Sequence, residues 1–258
     1  MHRNQIKASP EPESGIGSEL SGIVFKTKES QVAELLRERI LSGLFQRGQK
    51  LRQAEIARMF NLSITPVREA LKLLEAEGYV LGASHRGAIV APVELNQVEE
   101  LYELRLELET RLAREAVKRM TPQDVESLNR MNDEMTAALA ANDMVAYRRT
   151  NFRLHFRFYE MADQSATLHF VRILWAKYPF ELLAVIPNRL ADVIAEHQTF
   201  LDALKSGDTR AVIRAVQAHI ESGHRKFKKH YAAELGQARK SQASPRRAAT
   251  VPENPPTA

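Results

Sequence analysis

The stretch NLSITPVREALKLLEAEGY, residues 61–79, predicts a helix with clear ends. Ser63 favours the position just before a helix, because its hydroxyl can accept a hydrogen bond from a free backbone N–H. Pro66 falls in the first turn, where its missing N–H costs little. Apolar residues then recur at helical spacing up to Gly78, a residue type that commonly ends helices. One face of this helix is therefore apolar, and the other carries basic residues four positions apart.

The residues around this helix predict two further helices and a hairpin. Two shorter segments with helical spacing precede it, and YVLGASHRGAIVAPV, residues 79–93, follows it. That sequence has two runs with β-branched residues on either side of a glycine-containing turn, which is typical of a hairpin. Three helices followed by a hairpin form the order of a winged helix-turn-helix, and we expect that fold over residues 26–93.

In this fold the basic face of the helix is expected to contact a DNA duplex. A helix-turn-helix inserts its second helix into the major groove, where Arg68 could pair with guanine and Lys72 with a phosphate. Arg86, at the hairpin tip, could enter the minor groove. The alternative is an ordinary solvated helix face, and the hairpin directly after the helix favours DNA. The residues expected to contact DNA are Arg52, Arg58, Ser63, Thr65, Pro66, Arg68, Lys72, Arg86 and Gly87.

Residues 94–235 predict an all-α antiparallel bundle of six or seven helices, so that the whole chain is mostly α. The helices are expected to begin and end at residues that cap or interrupt helices. These are Asn96 with Glu99 as a capping box, Thr121 with Pro122, Asn142 or Asp143, a break near Pro179 and Pro187, Gly207, and Asp208.

Four of these helices place a polar side chain in the middle of an apolar stripe. The residues are Arg105, Asn151 with His155, His197 and His219. A buried cation or imidazole without a partner is costly, so we expect these groups to meet around a shared ligand. A single one would more often be an ordinary core histidine, but three imidazoles and an oxygen ligand suit a divalent zinc, nickel or iron ion. His169 and His224 fall off the apolar faces, and His85 lies in the hairpin, so none of these is predicted as a ligand.

Composition limits the class of protein. The net charge of +5 permits a polyanionic partner without requiring one. The absence of cysteine excludes disulfides and thiolate metal sites, and it fits a reducing cytoplasm. No apolar run approaches the roughly 20 residues of a membrane span, and the N-terminus has no apolar segment of a secretory signal. Residues 1–24 and the basic, proline-rich residues 237–258 are predicted to be disordered tails.

The first half of the chain resembles the winged helix-turn-helix of GntR-type transcription regulators. The similarity covers residues 30–92 and includes RQAEIARMFNLSITPVREALKLLEAEGYV, with TPVREAL as its core and RGAIVAP after it. The family commonly has Arg directly after the Ser that begins the recognition helix, whereas this chain has Ile64. The resemblance implies a DNA-binding head, with a base or phosphate contact missing at Ile64.

The second half resembles the helical effector domain of FadR-like GntR regulators, called FCD. The similar motifs, in family order, are LYELRLELE, NFRLH, EHQTFLDALKSGD and VQAHI. Members of this family bind small organic acids beside a metal, with the Arg of the first helix on the carboxylate, a role that the resemblance gives to Arg105. The family usually has Asp where this chain has Asn151.

We therefore predict a transcription regulator, more a repressor than an activator, that binds a palindromic operator as a homodimer and responds to a small organic acid. Two alternatives stay open. One is a metal-dependent enzyme acting on a small acid, although the chain has no HExxH motif, no P-loop, no GxGxxG and no nucleophile beside a base. The other is a dedicated metal sensor, in which the ion itself is the signal.

Overall fold

Three helices and a small sheet form the N-terminal part of the chain. The computed structural model describes residues 27–84 and 86–236, so the predictions for residues 1–24, His85 and residues 237–258 lie outside the described residues. The helices are Lys28–Leu41 (α1), Gln53–Phe60 (α2) and Ile64–Ala76 (α3). The strands are Lys50–Leu51 (β1), Val80–Ser84 (β2) and Gly87–Val90 (β3). The predicted order of three helices followed by a hairpin is confirmed.

Helix α3 has the predicted ends, but its N-terminal cap lacks the predicted hydrogen bond. Ser63 is the N-cap residue in extended conformation, and its side chain makes no capping hydrogen bond. The reason is that Pro66 occupies the third helical position, whose N–H would be the usual donor. Gly78 follows the helix with φ +80°. The predicted apolar face is fully buried, and its residues are Val67, Ala70, Leu71 and Leu74.

The sheet is antiparallel with strand order β1-β3-β2. The hairpin pairs Val80 with Val90, and β1 adds a third strand that the sequence did not predict. Gly87 has φ +124°, and a Cβ atom there would overlap the carbonyl oxygen of Leu51. Only glycine therefore allows β3 to approach β1 so closely. Gly87 is buried in this contact, so its predicted place in the DNA interface would depend on its neighbour Arg86, which is exposed.

Seven helices form the rest of the described chain and confirm the predicted helical bundle. Helix α5 packs on α6 and α9, and α10 packs on α4 and α9. The helices are Val98–Val117 (α4), Pro122–Ala140 (α5), Met144–Glu160 (α6), Ser165–Lys177 (α7), Phe180–Leu183 (α8), Arg189–Ser206 (α9) and Thr209–His230 (α10).

Most of the predicted helix ends are confirmed. Thr121 and Asp124 form a capping box, and the side chains of Asp143 and Asp208 cap α6 and α10. The capping box of Asn96 and Glu99 is wrong. A 3-10 turn at Leu95–Gln97 precedes α4, so that the N-cap falls one residue later and carries no side-chain capping bond.

The N-terminal part lies against α7 and α8 of the same chain. Ala176, at the end of α7, is buried in the apolar core formed by α1, α2 and α3. The hydroxyl of Tyr79 donates to the backbone carbonyl of Arg172 at 3.0 Å. Arg47 donates to the carbonyls of Ala91 and Ala176, at 3.2 and 2.8 Å. The two parts are therefore joined by buried contacts as well as by the chain. Among the described residues, no helix is both long and apolar enough to cross a membrane.

Candidate metal centre and DNA interface

Three imidazoles from three helices meet inside the bundle. They belong to His155 of α6, His197 of α9 and His219 of α10, and their possible ligand atoms all lie within 4.8 Å of one another. The Nε2 atoms of His155 and His197 are 3.1 Å apart. The apolar stripes of the three helices therefore bring together the histidines that the sequence singled out.

The hydrogen bonds of Tyr159 determine which nitrogen of His155 carries the proton. The Tyr159 hydroxyl donates to Glu109 Oε2 at 2.6 Å, which uses its only proton. Its oxygen must therefore accept from His155 Nδ1, which lies 3.3 Å away. The consequence is an unprotonated Nε2 on His155, facing His197. Because the lone pairs of two nitrogens repel each other at 3.1 Å, the Nε2 atoms of His155 and His197 need either a proton or a cation between them.

A carboxylate orients His219 in a similar way. His219 Nδ1 donates to Glu196 Oε2 at 2.7 Å, so Nε2 is the nitrogen that this residue can offer to a metal ion. Burial of the Glu196 carboxyl opposes ionisation, but the hydrogen bond from His219 and the charge of Arg189 lower its pKa to about 2. Arg189 Nη1 donates to both oxygens of this carboxylate, at 2.8 and 2.9 Å. Glu196 is therefore an anion shared by one histidine and one arginine.

The environment keeps two of the imidazoles neutral. Burial, and then the neighbouring histidines, hold the pKa of His155 well below its usual value. Burial and His219 do the same for the pKa of His197, although Glu196 opposes the shift. The neutral imidazole is the form that binds a metal ion.

Several buried polar atoms in this region have no hydrogen-bond partner in the described part of the chain. They include Oδ1 of Asn151, Nδ1 of His197 and Nε of Arg189. Asn151 precedes His155 by one helical turn, so both side chains lie on the same face of α6. Buried oxygens without partners are uncommon, and a metal ion would satisfy this one. Three imidazoles and one amide oxygen are a donor set that fits a divalent ion.

A cavity of about 70 Å³ lies beside the histidines. Its lining includes Arg105, Asn151, His155 and His219, whereas His197 borders a smaller cavity that His155 and His219 also line. Arg105 is buried, and its Nε donates to Glu109 at 2.7 Å. The structure therefore places four of the five predicted bundle residues around one space, and the fifth, His197, contacts His155.

The guanidinium of Arg105 is held by aromatic rings as well as by its carboxylate. Its central carbon lies 4.4 Å from the ring centre of Tyr178 and 4.6 Å from that of Phe180. Both rings also line the cavity. Contact between a cation and aromatic rings at these distances stabilises the buried charge.

Sequence reasoning missed several residues of the site. Arg189 and His224 line the cavity, Glu109 binds Arg105, and Glu196 binds His219. The placement of His224 off the apolar face of α10 was wrong, because the residue is buried and its ring stacks on Tyr102 with centres 3.8 Å apart. Glu109 had a signal, since it follows Arg105 by four residues and so lies on the same helix face. His224 lies outside the three-histidine cluster, and His169 is exposed as predicted.

The predicted DNA-contacting residues fall mainly on one exposed region around α2, α3 and the hairpin. Arg68 and Lys72 are partly exposed and both contact Glu69, at 3.3 and 3.2 Å. Arg52 binds Glu55 at 2.8 Å. Such surface ion pairs are weak and can exchange for phosphate contacts. Exposed residues of this region also include Arg58, Ser63, Thr65 and Arg86, while Pro66 is half-buried.

Comparisons with known proteins define the class of this chain. The gntR family of bacterial regulatory proteins matches residues 28–90, and the FCD domain matches residues 100–222. An uncharacterized HTH-type transcriptional regulator of Agrobacterium vitis is 30% identical over 123 residues, which cover 46% of this chain and 72% of that protein. The gluconate operon transcriptional repressor of Bacillus subtilis is 26% identical over 202 residues, which cover 74% and 81%.

A solved structure shares the fold over most of the chain. The structure of McbR/YncC from E. coli matches with a TM-score of 0.67 and 24% identity, covering 83% of this chain and 99% of that one. The chain belongs to the GntR family and carries an FCD domain. It is a DNA-binding transcription regulator, and because both matched families and the named relatives are regulators, it is not an enzyme.

Proposed function

We propose that this chain is a metabolite-responsive repressor that binds a palindromic operator as a homodimer. In this proposal a small organic acid binds beside a divalent ion in the bundle and changes the affinity for DNA. The observation that carries it is the meeting of three imidazoles beside a cavity that is also lined by Arg105 and by Asn151, whose buried amide oxygen has no partner among the described residues. We propose a repressor, and not an activator, because the similar gluconate operon regulator of Bacillus subtilis is a repressor.

The proposed ion is zinc, nickel or iron, bound by Asn151, His155, His197 and His219. His155 and His197 are held in the neutral form that binds a metal ion, and Tyr159 and Glu196 supply supporting hydrogen bonds to His155 and His219. Such an ion would supply positive charge and a coordination position open to an oxygen of the ligand. Asn151 contributes a neutral oxygen, which binds a cation less strongly than a carboxylate would.

The proposed carboxylate-binding residue is Arg105. Its Nε is committed to Glu109, so the terminal nitrogens of the guanidinium are the ones available to an acid in the cavity. The rings of Tyr178 and Phe180 pack against the guanidinium and restrict its movement, which lowers the entropy lost when a carboxylate binds. Arg105 and an ion beside one carboxylate would together offset the cost of burying that anion.

The proposed DNA interface places α3 in the major groove. Arg68 would read a base, Lys72 would bind a phosphate, and Thr65 would reach the groove from the first turn. Arg52 and Arg58 would bind the backbone beside α2, with Ser63 and Pro66 at the start of α3. Arg86 would enter the minor groove from the hairpin. Ile64 is exposed and apolar, so it adds no phosphate contact.

Helix α8 provides a path from the cavity to the DNA-binding part. Phe180 and Leu183 of this short helix line the cavity. Glu181, between them, binds Arg47 Nε at 2.9 Å, and Arg47 also bonds to the carbonyl of Ala176. A ligand that displaces Phe180 would therefore displace the partner of Arg47. Coupling between two such sites is typically about 1–3 kcal/mol.

The test is DNA binding with and without acids. Selection from random DNA should yield a palindromic site, and fluorescence anisotropy should then show that particular acids change its affinity only in metal-loaded protein. A metal sensor would instead respond to the ion alone, without acid. Protein that selects no sequence from random DNA, or that binds its site equally in every acid and metal state, would contradict the proposal.

A further inference from the structure

A second buried arginine lines the cavity that contains Arg105. Arg189 is the first residue of α9 and is only 3% exposed. One terminal nitrogen, Nη1, is bound by Glu196. Its Nε is buried and has no hydrogen-bond partner within the described residues. A buried guanidinium N–H without a partner is costly, and a ligand oxygen in the cavity would satisfy it.

A glycine of α10 makes room for this guanidinium. A Cβ atom at Gly223 would lie 3.1 Å from Nη2 of Arg189, closer than a normal contact. Gly223 lines the same cavity as Arg189. Glycine is unfavourable in the interior of a helix. The close approach of the Arg189 guanidinium explains why a glycine stands at this position of α10. Gly223 allows the Arg189 side chain to lie against α10.

The charges of the site call for two negative charges on the ligand. Arg105 is paired with Glu109 and Arg189 with Glu196, so these four side chains sum to zero. Burial lowers the pKa of the cavity residue His224, although Glu99 opposes the shift. The lowered pKa favours the neutral form of His224. The divalent ion of the proposed function therefore leaves the cavity two positive charges in excess. A dianion would neutralise them, whereas a monoanion would leave a buried positive charge.

We propose that Arg189, in the space left by Gly223, forms a second anion subsite, so that the effector is a short dicarboxylic acid. One carboxylate lies between Arg105 and the ion, and the other accepts from Nε and Nη2 of Arg189. This inference rests on the proposed function, because it deepens the choice of ligand for the same cavity. The small volume of the cavity restricts the acid to a short chain.

The experiment compares diacids with their monoamides on the full-length, zinc-loaded protein. Malonate, succinate and glutarate are titrated by isothermal calorimetry against malonamate, succinamate and glutaramate, which have the same length and one charge less. We expect at least one diacid to bind ten times or more tightly than its monoamide. Zinc content is measured after each titration, so that chelation by the acid is not mistaken for binding.

Two variants and a control assign this preference to Arg189. Arg189→Lys keeps the charge beside Glu196 but removes the planar fork, and Gly223→Ala crowds Nη2 while leaving the bond to Glu196 in place. Both should reduce the preference for the diacid several-fold and keep the affinity for the monoamide. Arg225→Lys, an exposed position on α10, should change neither affinity.

The outcomes separate this inference from the proposed function. Equal binding of a diacid and its monoamide to the wild type would overturn the second subsite and leave an acid-binding site intact. An absence of binding by every acid would overturn both. If Arg189→Lys loses zinc, the Gly223→Ala variant tests the role of Arg189 instead. A Gly223→Ala protein that keeps both its zinc and the full preference for the diacid would show that Arg189 does not form the second subsite.

Discussion

Tyr159 and Glu109 are joined by a 2.6 Å hydrogen bond from the tyrosine hydroxyl to the carboxylate. Glu109 is fully buried, and it also accepts from Arg105 Nε at 2.7 Å and from Trp175 Nε1 at 3.0 Å. Because Tyr159 in turn contacts His155, one carboxylate links the proposed acid-binding arginine to a proposed metal ligand. Disturbance of Glu109 should therefore affect the stability of the bundle and both halves of the site.

Glu109→Gln should destabilise the protein strongly. The substitution keeps the shape of the side chain but leaves the buried Arg105 without its counter-charge, which typically costs about 3–5 kcal/mol. It should also weaken zinc binding, by less than the roughly 10–100-fold that follows the loss of a direct partner of a metal-binding histidine, because Glu109 acts on His155 through Tyr159. Urea denaturation measures the first effect, and competition with a chromophoric chelator measures the second.

The matched control is Glu126→Gln, which removes an exposed pair with Arg130. Surface pairs contribute about 0–1 kcal/mol, so this variant should be nearly as stable as the wild type. Equal stability of Glu109→Gln and Glu126→Gln would show that the buried carboxylate does not stabilise the bundle.

Arg68→Ala and Lys72→Ala should weaken DNA binding in different ways. If Arg68 reads a base, its loss should cost roughly 1–3 kcal/mol on the specific site and relax the preference at one position. Lys72→Ala should weaken binding to all sequences about equally and lower the salt dependence, because one phosphate contact is lost. Salt titrations on specific and random DNA distinguish the two, and a uniform loss for Arg68→Ala would contradict base reading.

Arg47→Gln should uncouple acid binding from DNA binding. Its side chain lies outside the cavity and joins Glu181 of α8 to the carbonyl of Ala176. We expect the acid to bind this variant about as tightly as the wild type, while the change in DNA affinity caused by the acid falls toward zero. Anisotropy titrations with and without acid measure the coupling. Arg130→Gln, at an exposed pair, is the control and should retain it.

The protein should be a dimer in solution at micromolar concentration. One recognition helix reads only a few base pairs, whereas two helices about 34 Å apart read a palindrome. Light scattering coupled to size exclusion should give twice the chain mass of 29.2 kDa. A monomer of high affinity for a single half-site would be incompatible with the proposed mode of DNA binding.

The periodic parts of the fold were predictable from the sequence. Apolar spacing identified α3, the bundle helices and the inward direction of Arg105, His155, His197 and His219, because each stripe has to be buried. Helix caps with a single strong donor or acceptor, such as Thr121, were placed correctly. The cap of α4 was not, since the 3-10 turn before it shifts the helix start by one residue.

The missed residues depend on contacts between distant helices. Arg189 stands at the first position of α9, next to Asn188 with φ +62°, where helix periodicity has not begun. Its burial comes from Glu196 and from α10. His224 is covered by Tyr102 of α4, which no pattern within α10 reveals. Side chains buried by a neighbouring element, and not by their own stripe, cannot be recognised without the packed structure.

Asn151→Asp should tighten metal binding if the amide oxygen is a ligand. The carboxylate adds a negative charge to the ion and has the same length as the amide, so the affinity for zinc should rise. Chelator competition measures the change. Asn129→Asp, on α5 and away from the histidines, is the control and should leave zinc affinity unaltered. Unchanged affinity in both variants would remove Asn151 from the ligand set.

The metal content of the purified protein tests the central claim most directly. Elemental analysis of wild-type protein, purified without a histidine tag and without a chelator, should find close to one zinc, nickel or iron ion per chain. The variant in which His155, His197 and His219 are all replaced by Ala should contain none. Wild-type protein free of bound metal even after dialysis against zinc, or a triple variant with the same metal content as the wild type, would contradict a metal centre at these histidines.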